Sequence, residues 1–214
     1  HLATDLPVQM FDILPFGGAS TFLPSAELLI PTASFGTNYF GVVPQRGTAA
    51  PQWAQIVASR NGTTVTVFPN VSLPSGAGVS AAPKNVATTF NLNAGEYLQW
   101  QDSSEMSGTI IQSNYPVGFF GGQAYACYSD GTSTGGGCDS THQQVPPISA
   151  FGSEYAVPAY TTRLASNEPE SIRYRFVGAV GGTALVYDPP TAAGPTAIGE
   201  GQVVDFEAKS SFVV

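Results

Sequence analysis

The sequence predicts an all-β protein built from two tandem, sequence-related β-sandwich repeats with short strands and long loops. Its 214 residues include 24 glycines and 17 prolines, as in a turn-rich chain, and only 10% are charged. A coiled coil would be richer in Ala, Glu, Lys and Leu, and a disordered chain would carry more charge and fewer aromatic residues. No window of helical period runs without a breaking Gly or Pro, and landmarks recur at about half the chain length.

Four sequence landmarks occur twice in the same order, separated by 106 to 120 residues. Such internal similarity at a nearly constant spacing is typical of a structural unit that occurs twice in the chain. The matched segments are residues 5–8 with 114–117, 31–39 with 147–155, 62–67 with 182–187, and 94–98 with 200–204. The repeat therefore predicts one unit over residues 1–108 and a second over residues 109–214, the second carrying both cysteines.

Short alternating runs bounded by Gly, Asn or Ser predict the strands. They cover residues 63–68, 86–92, 96–100, 109–111 and 173–177, and Trp100 is expected in the core. Residues 108–120 read as one continuous ladder. Residues 210–214 resemble its first part and residues 4–8 its second, so the chain starts and stops inside a repeat unit. Either the chain is part of a longer array, or the two end segments lie side by side or in neighbouring subunits.

Charge and hydropathy exclude two classes of partner. The chain has seven scattered Lys and Arg residues and 15 Asp and Glu residues, which give a net charge of −8. Binding to nucleic acids or to anionic membrane surfaces requires clustered Lys and Arg side chains. No apolar run approaches the roughly 18 residues of a spanning helix. We expect neither nucleic-acid binding nor membrane insertion, and any signal peptide would lie upstream of His1.

Three polar sites point to an extracellular or cell-surface location. Cys127 and Cys138 flank a Gly-rich loop and are expected to form a disulfide that pins it, with two reduced thiols as the alternative. Two Cys with one nearby His do not make a zinc site. Asn61 and Asn70 begin Asn-x-Ser/Thr sequons, so both are candidate N-glycosylation sites, although Asn-Gly is also a favoured turn.

Residues 138–155 resemble a family motif. Cys138-Asp139, Gln144, Pro146-Pro147 and Gly152-x-Glu154-Tyr155 match the pattern of the IgG Fc-binding protein N-terminal domain and its bacterial relatives. The family's His and Glu are replaced here by Ser140 and Gln143, so no role is transferred to His142. The resemblance spans nearly the whole chain, and segments 7–39 and 107–122 also carry it. It implies an extracellular β-rich module of adhesive, mucus-like or cell-surface proteins, without implying IgG binding.

The candidate chemistry is sparse. His1 and His142 could form the copper site of a polysaccharide monooxygenase. Ser140, His142 and Asp139 lie too close in sequence to form a triad, and no nucleophile elbow occurs. Calcium at acidic residues near the cysteines remains an alternative without the usual ligand spacing. We expect no catalytic residue, no metal and no cofactor. Trp53, in a turn-like stretch, is the candidate ligand contact.

The resulting functional prediction is a non-enzymatic extracellular adhesion or binding module. It would recognise a protein or a glycan through loops and sheet edges. The alternative is a subunit of an extracellular filament or surface lattice, assembled from copies of the chain by exchange of terminal strands. The remote alternative is a copper-dependent polysaccharide monooxygenase using His1.

Overall fold

The computed structural model describes residues 3–14, 25–44, 51–127, 138–162, 164–190 and 194–214. Their regular structure consists of strands and two single 3-10 turns, Thr32–Ser34 and Ile148–Ala150, which confirms the all-β class. None of the helical turns in these ranges has the length and hydropathy needed to cross a lipid bilayer. The strands are β1 Phe11–Leu14, β2 Ser25–Leu28, β3 Gly36–Phe40, β4 Gln52–Ala58, β5 Thr63–Phe68, β6 Thr88–Leu92, β7 Tyr97–Asp102, β8 Ile110–Cys127, β9 Cys138–Val145, β10 Ala156–Val157, β11 Ile172–Val177, β12 Thr183–Ala184, β13 Ala197–Ile198, β14 Val203–Ala208 and β15 Phe212–Val213.

The chain divides into two compact units. The first contains His1–Tyr128 and Gly135–Ala150, and the second contains Ser129–Thr134 and Phe151–Val214. The sequence repeat divides at residue 108 instead, and that boundary stays a prediction about the repeat. The two divisions differ because β8, which follows the repeat boundary, pairs with strands from the first half of the chain.

Strand β8 organises the first unit. The sheet order is β6-β5-β8-β4-β7, and β3 and β9 also pair with β8. The first part of β8 pairs with β5 at Val67↔Ile111, and its later part pairs with β4 at Ile56↔Phe119. The continuous strand predicted through residues 108–120 is therefore confirmed, and it extends to Cys127.

Alternation in the sequence builds the core of the first unit. In β4 and β5 every second side chain is buried, because successive residues of a strand point to opposite faces of the sheet. Trp100 is buried as predicted and meets Phe90 edge-on, with ring centroids 5.4 Å apart. The fully buried apolar side chains of this core include Tyr39, Val43, Ile56, Val65, Val67, Ile111, Val117 and Phe119.

The second unit is a set of short strand pairs over a small aromatic core. β11 pairs with β14, β12 with β13, and β10 with β15. Phe206 stacks on Phe176 with centroids 5.3 Å apart, and Tyr187 and Phe212 meet its ring from the side. Burying these rings supplies most of the apolar area that can hold this unit together.

The repeated landmarks make the same hydrogen bonds in both units. In the first, the backbone N–H of Gly36 donates to the Tyr39 hydroxyl at 2.9 Å. In the second, Gly152 N–H donates to the Tyr155 hydroxyl at 2.8 Å. Each pair follows one of the two 3-10 turns. Identical residue types at identical spacing thus close the same local turn twice.

The turn before β7 recurs before β14. Gly95 has φ of +83° and Gly201 has φ of +66°, a region in which glycine is strongly favoured. The Glu96 carboxylate accepts from a backbone N–H three residues earlier at 2.6 Å, and the Gln202 amide oxygen does the same at 2.8 Å. The matched glycines of the sequence therefore mark equivalent turns.

Candidate functional site: an apolar strand edge and a buried acid–histidine cluster

Strand β1 and the residues before it carry exposed apolar side chains. Residues 6–13, here called the N-terminal apolar segment, include Val8, Met10, Phe11 and Ile13, all exposed. Val8 is 62% and Met10 47% accessible. On one edge β1 pairs with β2, at Phe11↔Leu28. No strand of the described residues pairs with its other edge. Exposed apolar side chains beside a free strand edge are typical of a surface that another polypeptide covers.

The buried counterpart of this segment is the second part of β8. The match of residues 5–8 with 114–117 aligns Val8 with Val117 and Met10 with Phe119, which are 0% and 1% exposed. The pairing agrees, because β8 and β9 have the register Phe120↔Gln144 where β1 and β2 have Phe11↔Leu28. In β8 the other edge pairs with β4. The N-terminal apolar segment therefore has the sequence of a central strand without its neighbour.

The second unit shows the complementary feature. β11 pairs with β14 at Val177↔Val203, as β4 pairs with β7 at Val57↔Tyr97. On its other edge β4 pairs with β8, whereas β11 has no second strand partner within the described ranges. None of the described strands of residues 151–214 takes the place beside β11 that the later part of β8 has beside β4. The hydroxyl of Tyr174, on β11, is buried without a hydrogen-bond partner.

A buried cluster of ionisable side chains lies beside β1. Asp12 on β1 is directly opposite Glu27 on β2, and both face His142 on β9. His142 Nε2 is 3.6 Å from Asp12 Oδ2 and 3.8 Å from Glu27 Oε1. The Glu27 and His142 side chains are 1% and 4% exposed, and Asp12 is 54% exposed. The cluster thus has two buried members and one that opens to solvent.

Burial dominates the electrostatics of this cluster. Desolvation raises the pKa of the Glu27 carboxyl, and His142 opposes the rise only in part. The backbone amide of Gln144 also lowers that pKa, although neither Glu27 oxygen accepts a regular hydrogen bond. On the other side of the ring, His142 Nδ1 is 2.8 Å from the Ser25 hydroxyl. Two carboxylates and an imidazole with unpaired buried atoms can hold a proton or a cation.

No local sequence motif identifies this cluster. Its three residues lie on three strands and are separated by up to 130 positions, and the resemblance assigned His142 no role. One signal was present. At the positions that the predicted repeat matches to Asp12 and Glu27, the sequence has Gly121 and Gln143, so the two acidic residues on facing strands depart from the predicted repeat.

The backbone places the two cysteines directly opposite each other. Cys127 pairs with Cys138 at the end of the β8–β9 ladder. Directly opposite residues of antiparallel strands have Cα atoms about 4.5–5.5 Å apart, within the range of a disulfide. Their side chains and the loop between them lie outside the described residues. The disulfide accordingly stays a prediction that the strand register favours.

The two sequon asparagines have different surroundings. Asn70 Nδ2 donates to the carbonyl of Ser107 at 2.6 Å, and its Oδ1 accepts from Thr109 at 3.0 Å. A glycan on Asn70 would replace one of the two hydrogens of this half-buried amide nitrogen. Asn61 is exposed, and its Oδ1 accepts from Ala94 N–H. Glycosylation of either residue stays a prediction, and the geometry favours Asn61.

Trp53 lies in a strand, not in the turn that the sequence suggested. It belongs to β4, where pairing with both β7 and β8 makes an extended conformation necessary. Its ring is half-buried and covers Gly122 so closely that a Cβ there would overlap it. Its role as a ligand contact stays a prediction. His1, the other half of the hypothetical copper pair, lies outside the described residues.

Comparison with known proteins identifies the family. The family described as "IgGFc binding protein" matches residues 25–214. The human protein named "IgGFc-binding protein" is 30% identical over 196 residues, which cover 86% of this chain and 3% of that much longer protein. No solved structure matches the chain. The family match covers most of the chain, and so does the similarity to the human protein. The chain therefore belongs to the IgGFc-binding protein family.

Proposed function

We propose that this chain is an extracellular, non-enzymatic binding module that recognises a protein partner by strand pairing. Two copies of one β unit, each closing as a sandwich, would form its scaffold. The observation that carries the proposal is the N-terminal apolar segment, in which exposed apolar side chains lie beside the free edge of β1. Backbone groups on such an edge give affinity for another strand, and the alternating side chains give specificity.

A protein fits this edge better than a glycan does. The segment offers backbone donors and acceptors between apolar side chains, Phe11 among them, which match another polypeptide. Sugars are usually bound on exposed aromatic faces, and Trp53 is instead packed over Gly122. The human relative is named for binding IgG Fc. For this chain we propose a protein partner without assigning that one, because site residues and not family membership determine a ligand.

An extracellular location is supported by the family and by the cysteines. A disulfide between Cys127 and Cys138 would form in an oxidising compartment and close the loop between β8 and β9. We expect purified chain to show no free thiol and to lose about 2–4 kcal/mol of stability after reduction. Thiol titration before and after reduction measures the first quantity, and denaturant unfolding measures the second. Two titratable thiols in protein secreted from cells would contradict the disulfide.

The test of function uses a proline in the proposed edge. Gln9→Pro removes one backbone donor from the segment, and a proline cannot sit in a paired edge. Immobilised chain is exposed to a panel of purified extracellular proteins, including immunoglobulin Fc, and to a glycan array. We expect at least one protein to bind and Gln9→Pro to weaken it by about tenfold or more. Val86→Asp, at an exposed apolar residue away from the edge, should leave binding unchanged.

Two results would overturn this proposal. One is the binding of glycans alone. The other is binding of a protein with equal affinity by the wild-type chain and by Gln9→Pro.

A further inference from the structure

We propose that Asp12, Glu27 and His142 bind a first-row divalent cation, and that zinc is the ion their chemistry fits best. The three side chains come from three strands of the first unit, β1, β2 and β9. One potential ligand atom of each residue lies within 4.8 Å of those of the other two. Sequence analysis led us to expect no metal, and the proposal departs from that expectation. It also does not depend on the strand-edge function.

The buried members of the cluster have polar atoms without regular hydrogen bonds. Within the part of the chain that the structure describes, both carboxylate oxygens of Glu27 and Nε2 of His142 have no hydrogen-bond partner. The two side chains are only 1% and 4% exposed, so water does not replace the missing partners freely. Burial of such groups without a partner costs free energy. A cation bound between the three side chains would remove this cost.

The distances favour a bridging ion over direct pairing of the imidazole with a carboxylate. His142 Nε2 is 3.6 Å from Asp12 Oδ2 and 3.8 Å from Glu27 Oε1. Both separations exceed the roughly 2.7–2.9 Å of a charge-assisted hydrogen bond. Ligand atoms about 2.0–2.1 Å from a tetrahedral zinc ion lie about 3.3–3.4 Å from one another. The two distances to the imidazole would therefore shorten by only a few tenths of an ångström around the ion.

A hydrogen bond on the other side of the ring orients the imidazole for this role. The hydroxyl oxygen of Ser25, at the start of β2, is 2.8 Å from Nδ1 of His142. When the ring proton is on Nδ1, it is donated to Ser25, and the lone pair of Nε2 faces the two carboxylates. An outer hydrogen bond of this kind commonly fixes the orientation of a ligating histidine.

The ligand types and their charge select the class of ion. Two carboxylates and a neutral imidazole carry a negative charge that a divalent cation neutralises. Zinc binds imidazole nitrogen and carboxylate oxygen, whereas calcium and magnesium prefer oxygen ligands alone. Asp12 is half-exposed, so solvent can reach the ion and complete its coordination. We therefore expect zinc to bind more tightly than calcium or magnesium.

A bound ion would tie the β1–β2 hairpin to β9. Asp12 and Glu27 lie directly opposite each other in the hairpin, and His142 lies on β9. A hydrogen bond already joins the same elements, because Ile30 N–H donates to Gln144 Oε1 at 2.6 Å. Since the three ligands are far apart in sequence, only the folded chain brings them together. Zinc should therefore stabilise the first unit against unfolding.

Calorimetric titration of metal-stripped chain with zinc tests the binding. We expect one saturable equivalent, weakened about tenfold or more by Asp12→Asn and by His142→Gln. Asp12→Asn changes an exposed side chain and should leave the fold intact. Asp139→Asn is the matched control, because it removes an exposed carboxylate of β9 that lies outside the cluster. His1→Gln is a second control, since it removes the other histidine of the chain.

Thermal unfolding of Glu27→Gln gives a readout that a structural role alone would not produce. The substitution keeps the size of the side chain and removes its charge. In metal-free protein the variant should melt at the same temperature as the wild-type chain or higher, because an amide costs less to bury than an unpaired carboxylate. Excess zinc should raise the melting temperature of the wild-type chain and raise that of Glu27→Gln much less.

Four results would overturn the site. The first is the absence of saturable zinc binding. The second is equal zinc affinity of Asp12→Asn and Asp139→Asn, and the third is loss of binding in His1→Gln. The fourth is a metal-free Glu27→Gln chain that melts well below the wild-type chain, because the carboxylate would then be satisfied by the protein itself. Tighter binding of calcium than of zinc would contradict the choice of ion.

Discussion

Replacing Gly121 by Ala is expected to destabilise the first unit by about 3 kcal/mol, the upper part of the usual range for overpacking. Gly121 lies in the middle of β8, opposite Ala54 of β4. A Cβ there would overlap the backbone carbonyl oxygen of Val42, and it would also lie close to Val43 Cα. Because these are backbone atoms, a rotamer change cannot relieve the overlap, and β8 or the segment 41–43 must move.

Chemical denaturation followed by tryptophan fluorescence measures this effect, since Trp100 reports on the same core. Gly76→Ala is the matched control. Gly76 also lies in the first unit, its φ is not in the positive region, and a Cβ would meet no atom within 4 Å. We expect Gly76→Ala to be neutral or slightly stabilising. Equal unfolding midpoints for Gly121→Ala and Gly76→Ala would show that β8 does not pack under residues 41–43.

Phe119→Ala is expected to cost about 3–5 kcal/mol, the range for deleting a buried aromatic ring. The side chain is 1% exposed, and its ring centroid is 6.1 Å from that of Tyr39. Its backbone pairs with Ile56 on one side and Val145 on the other. Loss of this ring opens a cavity where three strands meet, so stability of the whole first unit should fall.

Phe68→Ala provides the comparison, because Phe68 lies on the same sheet but is 40% exposed. We expect its cost to remain below about 1 kcal/mol. Scanning calorimetry of both variants measures the difference. If Phe119→Ala and Phe68→Ala lower the melting temperature equally, the assignment of the core to this face of β8 is wrong.

Local alternation explains why several strands were predictable. Residues 63–68 alternate β-branched residues after an Asn-Gly turn, and the structure has β5 over that range. Arg173 to Val177 forms β11 nearly as predicted. Trp53 was assigned to a turn because it follows Pro51 and Gln52, whereas the structure pairs it with strands on both sides. The strand propensity of a residue depends mostly on how its side chain packs against neighbouring strands.

The same limit applies to the chain ends. Residues 4–8 carry the sequence of a central strand, yet β1 begins only at Phe11. A ladder needs a partner, and none of the described strands pairs with this segment. The cluster of Asp12, Glu27 and His142 was likewise invisible, because distant strands bring it together. From the sequence, the N-terminal segment and the cluster could be located only where the two copies of the predicted repeat differ.

Hydrogen–deuterium exchange of the N-terminal apolar segment tests the strand-edge account most directly. Exchange is followed in the free chain and in the chain bound to a protein partner. We expect the backbone amides of residues 6–11 to exchange more slowly in the complex, because a paired partner strand would accept their hydrogen bonds. In Gln9→Pro this protection should be weakened. Exchange at residues 6–11 that is the same with and without the partner would contradict the account.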